Sequence, residues 1–161
     1  MTIRFGILTL SDRSSRGERA DSSGPALANL VHAQGWSVIK QAILPDDKPS
    51  ICAILTEWAD SDEVDIILTT GGTGFAPRDV TPEATRAVIQ REAPGLVEAM
   101  RAASMIKAPR AMLSRSVAGI RGKTLIINLP GRPKGAVENL QVILPVMDHA
   151  VRLLHELDAG H

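Results

Sequence analysis

A chain of 161 residues with 44% hydrophobic content is long enough for one domain with a well-buried core, and no internal repeat argues for two. Lys plus Arg and Asp plus Glu both total 18 with no block of like charge, which announces neither a nucleic-acid groove nor a membrane-attracting surface, so an anionic ligand must be held locally. The absence of tyrosine argues against a base-stacking platform, the single Cys52 excludes an internal disulfide, and no run reaches the length of a membrane span or signal-peptide core; a soluble cytoplasmic protein is expected.

The first apolar run, Arg4 to Leu10, reads as a strand and leads into Ser11-Asp12-Arg13. Pro25 to Gln34 keeps helical spacing at Leu27, Leu30 and Val31, with Ser23 or Gly24 before it and Gly35 after it as start and stop signals. Trp36 to Leu44 reads as a second strand, followed by Pro45-Asp46-Asp47. Asp47-Lys48-Pro49 opens a helix running to Ala59, in which Cys52 has the pattern of a small buried hydrophobe. Val64 to Thr69 is the third strand, and it empties into TTGGTGFAPRDVTPEAT, residues 69–85. At the end of that stretch Thr81 can cap a helix, Pro82 suits its first position, and Glu83 complements the positive end of its dipole. Gly95 to Ile106 reads as a helix, Ser116 to Arg121 as a short strand candidate, and Thr124 to Leu129 as the fourth clear strand. From Lys134 to Leu157 the apolar spacing is helical, with Pro145 expected to kink or divide it. His32, His149, His155 and His161 show no zinc-ligand pairing.

Strands that are nearly continuous apolar runs and alternate with helices predict a three-layer α/β/α domain over residues 1–161, built on a mostly parallel sheet. In such sheets ligands sit beyond the carboxyl ends of the strands. Those ends carry Ser11-Asp12-Arg13, Pro45-Asp46-Asp47, the glycine loop with Arg78-Asp79, and Asn128-Leu129-Pro130-Gly131. Gly71, Gly72 and Gly74 allow main-chain N–H groups to approach an oxyanion, although a plain tight turn would use the same residues. The spacing is not that of a dinucleotide fold, and Gly122-Lys123-Thr124 fails as a P-loop because Val117 stands where its first glycine belongs. Asp46 and Asp79 follow different strands and would meet at one rim. A carboxylate about 4 Å from a phosphate charge repels it by roughly 4 kcal/mol at an effective dielectric of 20, so the pair calls for a cation, for which Mg²⁺ is the natural choice. Arg78 and Arg115 could add fixed positive charge.

Two long motifs then stand out in order. Thr70-Gly71-Gly72-Thr73-Gly74 with Arg78-Asp79-Val80-Thr81-Pro82-Glu83-Ala84, and Leu113-Ser114-Arg115 with Ala118-Gly119 and Asn128-Leu129-Pro130-Gly131-Arg132-Pro133-Lys134, resemble the signature of the molybdopterin adenylyltransferase family of MogA/MoaB type. The likeness runs from the Ser11-Asp12-Arg13 turn through Asp21-Ser22-Ser23-Gly24 to the last helix. It implies a nucleotidyltransferase that adenylylates molybdopterin with Mg-ATP, releasing pyrophosphate, in molybdenum cofactor biosynthesis. It further implies a homotrimer and hand-over of the product to a metal-insertion protein. By motif, Asp46 and Asp79 match the catalytic positions and a tentative Mg²⁺ site. Ser11, Asp12, Gly71, Gly72, Thr73, Gly74, Arg78, Thr81, Ser114, Arg115, Asn128, Pro130, Gly131 and Lys134 match the substrate cleft. The alternative within the same resemblance is a trimeric carrier or scaffold that holds molybdopterin without adenylylating it. Thr69-Thr70 stands where some relatives have a serine-proline pair, a difference between subgroups.

Overall fold

The computed structural model describes residues 1–157, so His161 lies outside the described residues. A six-stranded sheet forms its centre, with strands β1 (Arg4–Leu10), β2 (Ser37–Leu44), β3 (Ile66–Thr70), β4 (Arg91–Glu92), β5 (Ala118–Arg121) and β6 (Thr124–Leu129) in the order β2-β1-β3-β6-β5-β4. The first four in that order run parallel, while β5 and β4 close the sheet antiparallel. β1, β3 and β6 are covered on both faces and are almost wholly buried, which is why their sequences are unbroken apolar runs; β2, at the edge, alternates.

Helices α2 (Ser23–Ala33), α5 (Pro94–Lys107) and α6 (Pro133–Leu154) cover one face around Phe5, Leu68, Ile127 and Leu140; α3 (Lys48–Asp60) and α4 (Thr81–Val88) cover the other around Leu8, Leu55, Ile67 and Ile126. The predicted three layers are therefore present. The chain leaves β1 for β2 on one side and returns to β3 on the other, so strand order reverses at the β1/β3 crevice, the place where such sheets hold ligands.

Several local expectations need correction. α6 continues unbroken through Pro145, because packing of Leu140, Ile143 and Met147 on the sheet outweighs one missing donor, and it ends at Leu154 instead of Leu157. Thr81 is the first residue of α4 and makes no capping bond; its hydroxyl donates to the Gly71 carbonyl at 2.9 Å. Cys52 is half-buried, its thiol 3.5 Å from the Ala84 carbonyl. The one-turn helix α1 (Asp12–Ser15), β4 and the 3₁₀ turn Pro109–Leu113 are too short for periodicity to reveal.

Candidate active site

The β1 and β2 ends are tied by their aspartates. Asp12 N–H donates to Asp46 Oδ2 at 3.2 Å, and Asp46 N–H donates to Asp12 Oδ1 at 3.0 Å. Arg78 grips Asp12 in a two-point pair at 2.9 and 2.7 Å, and this pairing, with the Asp46 N–H, holds the Asp12 carboxyl below its ordinary range. Asp46 behaves in the opposite way. Burial pushes its pKa up and, although the Asp12 N–H opposes this, the nearby charges of Asp12 and Asp79 add to the rise. Its Oδ1 is buried and accepts no hydrogen bond among the described residues.

Between Asp46 and Asp79 runs the glycine loop. Gly71 has φ 106° and lies so close to β1 that a side chain there would strike the Leu10 carbonyl. Gly72 has φ 69°, and an added Cβ would meet the Thr81 hydroxyl and come 3.0 Å from Asp46 Oδ1. At Gly74 the same atom would lie 2.9 Å from Asp79 Oδ2. These glycines therefore make room for two carboxylates. The N–H of Gly71 is taken by the Leu129 carbonyl at 3.1 Å, whereas those of Gly72, Thr73 and Gly74 donate to none of the described residues. Asp79 is set by its own turn: Ala76 N–H donates to its Oδ2 at 3.0 Å, and Asp79 N–H donates to the Ala76 carbonyl at 2.9 Å.

Beyond Thr73 and Gly74 opens a cavity of about 710 Å³, lined also by Ser114, Pro130, Gly131 and Lys134 from the sequence motifs. Arg101, Lys107, Arg110 and Arg132 join them there. The sequence singled out none of Arg101, Lys107 and Arg110, which are scattered along α5 and the 3₁₀ turn and form no charge block; Arg132 stands within the second motif but was given no site role. Arg101 donates to the Ser114 carbonyl at 3.2 Å and Lys107 pairs with Glu138 at 3.4 Å; Arg110, Arg132 and Lys134 form no ion pair among the described residues. Ser114 Oγ donates to Ser116 Oγ at 3.1 Å, and no histidine is among its bonded partners in the described residues.

Three residues of the motifs stand behind the cleft. Asn128 is fully buried: its Oδ1 accepts from Val117 N–H at 3.0 Å, and its amide donates to the hydroxyls of Thr69 and Thr85 at 3.0 and 2.9 Å. Thr81 is likewise fully buried on the Gly71 carbonyl. Arg115 turns inward to hold the glycine loop. Ser11 caps α1, its Oγ accepting from Ser14 N–H at 3.1 Å.

The aspartates, the glycine loop and the adjoining cavity with its arginines and lysines thus gather at the carboxyl edge of a doubly wound α/β sheet, the edge where this class of fold holds its ligands. The comparisons specify the family. Residues 6–149 match the family model described as "Probable molybdopterin binding domain". The chain is 42% identical to the molybdopterin adenylyltransferase of Helicobacter pylori strain J99 over 95% of its length and 88% of that protein's. It is 44% identical to the molybdenum cofactor synthesis protein cinnamon of Drosophila melanogaster over 95% of its own length, but spans only 26% of that larger protein. The crystal structure of the molybdopterin biosynthesis enzyme MoaB of Thermus thermophilus superposes with a TM-score of 0.90 at 51% identity, covering 95% of this chain and 96% of that one. The chain belongs to the molybdopterin adenylyltransferase family of MogA/MoaB type.

Proposed function

We propose that this protein transfers the adenylyl group of ATP to molybdopterin and releases pyrophosphate, a step in molybdenum cofactor biosynthesis. The observation that carries the reading is Asp46: a half-buried carboxylate with an orphaned oxygen, next to the glycine loop that also borders Asp79 and whose Thr73 and Gly74 line a cavity in which Arg110, Arg132 and Lys134 have no ion-pair partner among the described residues. An unpaired oxygen in that position is costly unless a cation or ligand completes it.

The terminal phosphate of molybdopterin attacks the α-phosphorus of ATP in line; a P–O bond forms as the bond to the β-phosphate bridge breaks, and pyrophosphate departs. Positioning and charge stabilisation supply the acceleration. The open N–H groups of Gly72, Thr73 and Gly74 approach phosphate oxygens, and Lys134 and Arg132 hold negative charge in the cavity. Asp46 and Asp79 fit Mg²⁺, which takes oxygen ligands and usually joins one or two carboxylates to substrate phosphates. No larger group of metal-ligating side chains gathers among the described residues. Bound with ATP, Mg²⁺ would neutralise phosphate charge that the two carboxylates otherwise repel.

The working form is a homotrimer in the cytoplasm that passes its product to a metal-insertion protein. Apolar surface left open on the single chain supports assembly: Ile106 is 87% exposed and Met112 56%. Among the described residues no helix is long and apolar enough to cross a membrane. Incubation with molybdopterin and Mg-ATP, followed by chromatography for adenylyl-molybdopterin and pyrophosphate, tests the activity. Binding of molybdopterin without either product would instead make the protein a carrier.

A further inference from the structure

Arg115 is committed to the protein itself. Its Nε donates to the Gly74 carbonyl at 2.8 Å, one Nη2 proton donates to the Asp79 carbonyl at 2.8 Å, and its Nη1 and Nη2 reach the Glu83 carboxylate at 2.6 and 3.3 Å. Its own N–H donates to the Thr73 carbonyl at 2.8 Å. The guanidinium thus bridges both ends of the segment from Gly74 to Asp79, and Glu83, in the first turn of α4, fixes the orientation of that bridge. A guanidinium is planar and rigid, so the direction of its Glu83 edge decides where the two carbonyls can sit. Apart from the Arg78–Asp12 pair, which ties its far end to the β1 rim, the segment has little else to hold it: Phe75, Ala76 and Pro77 are exposed, and its internal bonds are those between Ala76 and Asp79. Gly74 borders the Asp79 carboxylate directly, so a shift of either carbonyl moves the group that faces Asp46.

We infer that Glu83 is a positioning residue of the adenylyl-transfer site, acting through Arg115 to fix the Gly74–Asp79 loop and with it the Asp79 carboxylate, and that Arg115 serves this clamp and not a substrate phosphate. The inference rests on the proposed adenylyl transfer for its kinetic consequence, but the clamp itself is measurable without turnover. Misplacement of a reacting group by about 1 Å can cost on the order of 100-fold. Glu83 and Arg115 are partly exposed, so a variant at Glu83 retains the core and folds.

The test compares the parent, Glu83→Ala and Glu83→Gln, the last keeping one oxygen for Arg115. Hydrogen–deuterium exchange of a peptide spanning residues 73–80 should quicken roughly tenfold in Glu83→Ala and much less in Glu83→Gln, while peptides from β1 and β6 stay as in the parent. Turnover with molybdopterin and Mg-ATP should fall at least tenfold in Glu83→Ala with KM for molybdopterin within about twofold, and Glu83→Gln should recover most of it. Unchanged exchange in residues 73–80 overturns the clamp. A raised KM with normal kcat overturns it too, because Arg115 would then be serving the ligand. If the parent lacks turnover, the adenylyl-transfer reading fails alone, and exchange still decides the clamp.

Discussion

Asp12 and Asp46 each accept the other's main-chain N–H, so the ends of neighbouring parallel strands are locked by two carboxylates that face different fates. Asp12 is neutralised by Arg78 on its outer side. Asp46 points its second oxygen inward, toward Gly72 and Thr81, where it accepts no hydrogen bond among the described residues. The lock explains how a like-charged pair is tolerated: each carboxylate is stabilised by an N–H dipole, and the surplus negative charge gathers where a metal-bound phosphate would meet it.

Asp46 should therefore cost stability when ionised. Its folded pKa is raised, first by burial, so the stability linked to its proton is present below the unfolded value of about 3.9 and is lost as pH rises through the folded value. Asp46→Asn removes that cost. At pH 7 the variant should melt at or above the parent temperature, with the gap narrowing as pH approaches 4 in calorimetric scans. A variant melting well below the parent at pH 7 would show that ionised Asp46 stabilises the fold.

Gly72 offers a different test, because its constraint lies inside the protein. The sequence read Gly72 as letting the main chain approach an oxyanion; in the structure a side chain added there would be directed into Thr81 and Asp46. Gly72→Val should cost more than the roughly 1–2 kcal/mol of a left-handed L-residue and displace the Asp46 carboxylate as well. Loss of Tm and of turnover together is expected. Gly95, with nothing within 4 Å of an added Cβ, is the control: Gly95→Ala in α5 should gain about 0.5 kcal/mol and leave activity unchanged.

Asn128 separates a motif residue from a ligand-binding one. Asn128→Leu leaves the buried Val117 N–H and two threonine hydroxyls without their partner, at about 3 kcal/mol, so denaturant unfolding should shift accordingly. Molybdopterin affinity of the folded fraction should remain close to the parent's, and a selective loss of affinity at normal stability would return Asn128 to the cleft.

β1, β3 and β6 were legible because burial on both faces imposes unbroken apolar runs, β2 through its half-buried edge alternation, and most helices through their 3.6-residue spacing. The position of the candidate rim was legible through Asp46, Asp79 and the glycines between them, which the fold brings to the carboxyl ends of the strands. Arg101, Lys107 and Arg110 were not, since nothing local distinguishes a cation that faces a cavity from one that faces water. Nor was the inward turn of Arg115, whose partners Gly74, Asp79 and Glu83 lie 32 to 41 residues away. Sequence spacing places a residue on a rim, but the direction of its side chain depends on long-range contacts.

Far from the rim, Asp65 should govern acid sensitivity. Burial works against its charge, but hydrogen bonds from the Arg4 side chain and N–H outweigh that, and its folded pKa is lowered. The stability it contributes is present above the unfolded value of about 3.9 and lost as pH falls through the folded one. Asp65→Asn should thus melt lower than the parent at pH 7, with the difference shrinking in the acid range below pH 4. A constant difference across that range would mean the amide costs packing and not charge.

The sharpest test of the rim is a double-mutant cycle on its two carboxylates. Asp79→Asn keeps shape and the Ala76 N–H contact while removing a charge, so the fold should survive and adenylyl-molybdopterin formation should fall roughly 100-fold or more, about 2.7 kcal/mol of transition-state stabilisation. Asp46→Asn should lose a similar amount. If both serve one metal-bound phosphate, removing the first already disables the site, and the double variant should lose clearly less than the product of the single losses. Raising Mg²⁺ should restore part of the activity of either single variant and little of the double. Multiplicative losses with no Mg²⁺ response would place the two aspartates in separate steps, and near-normal turnover in both folded single variants would remove them from the chemistry altogether.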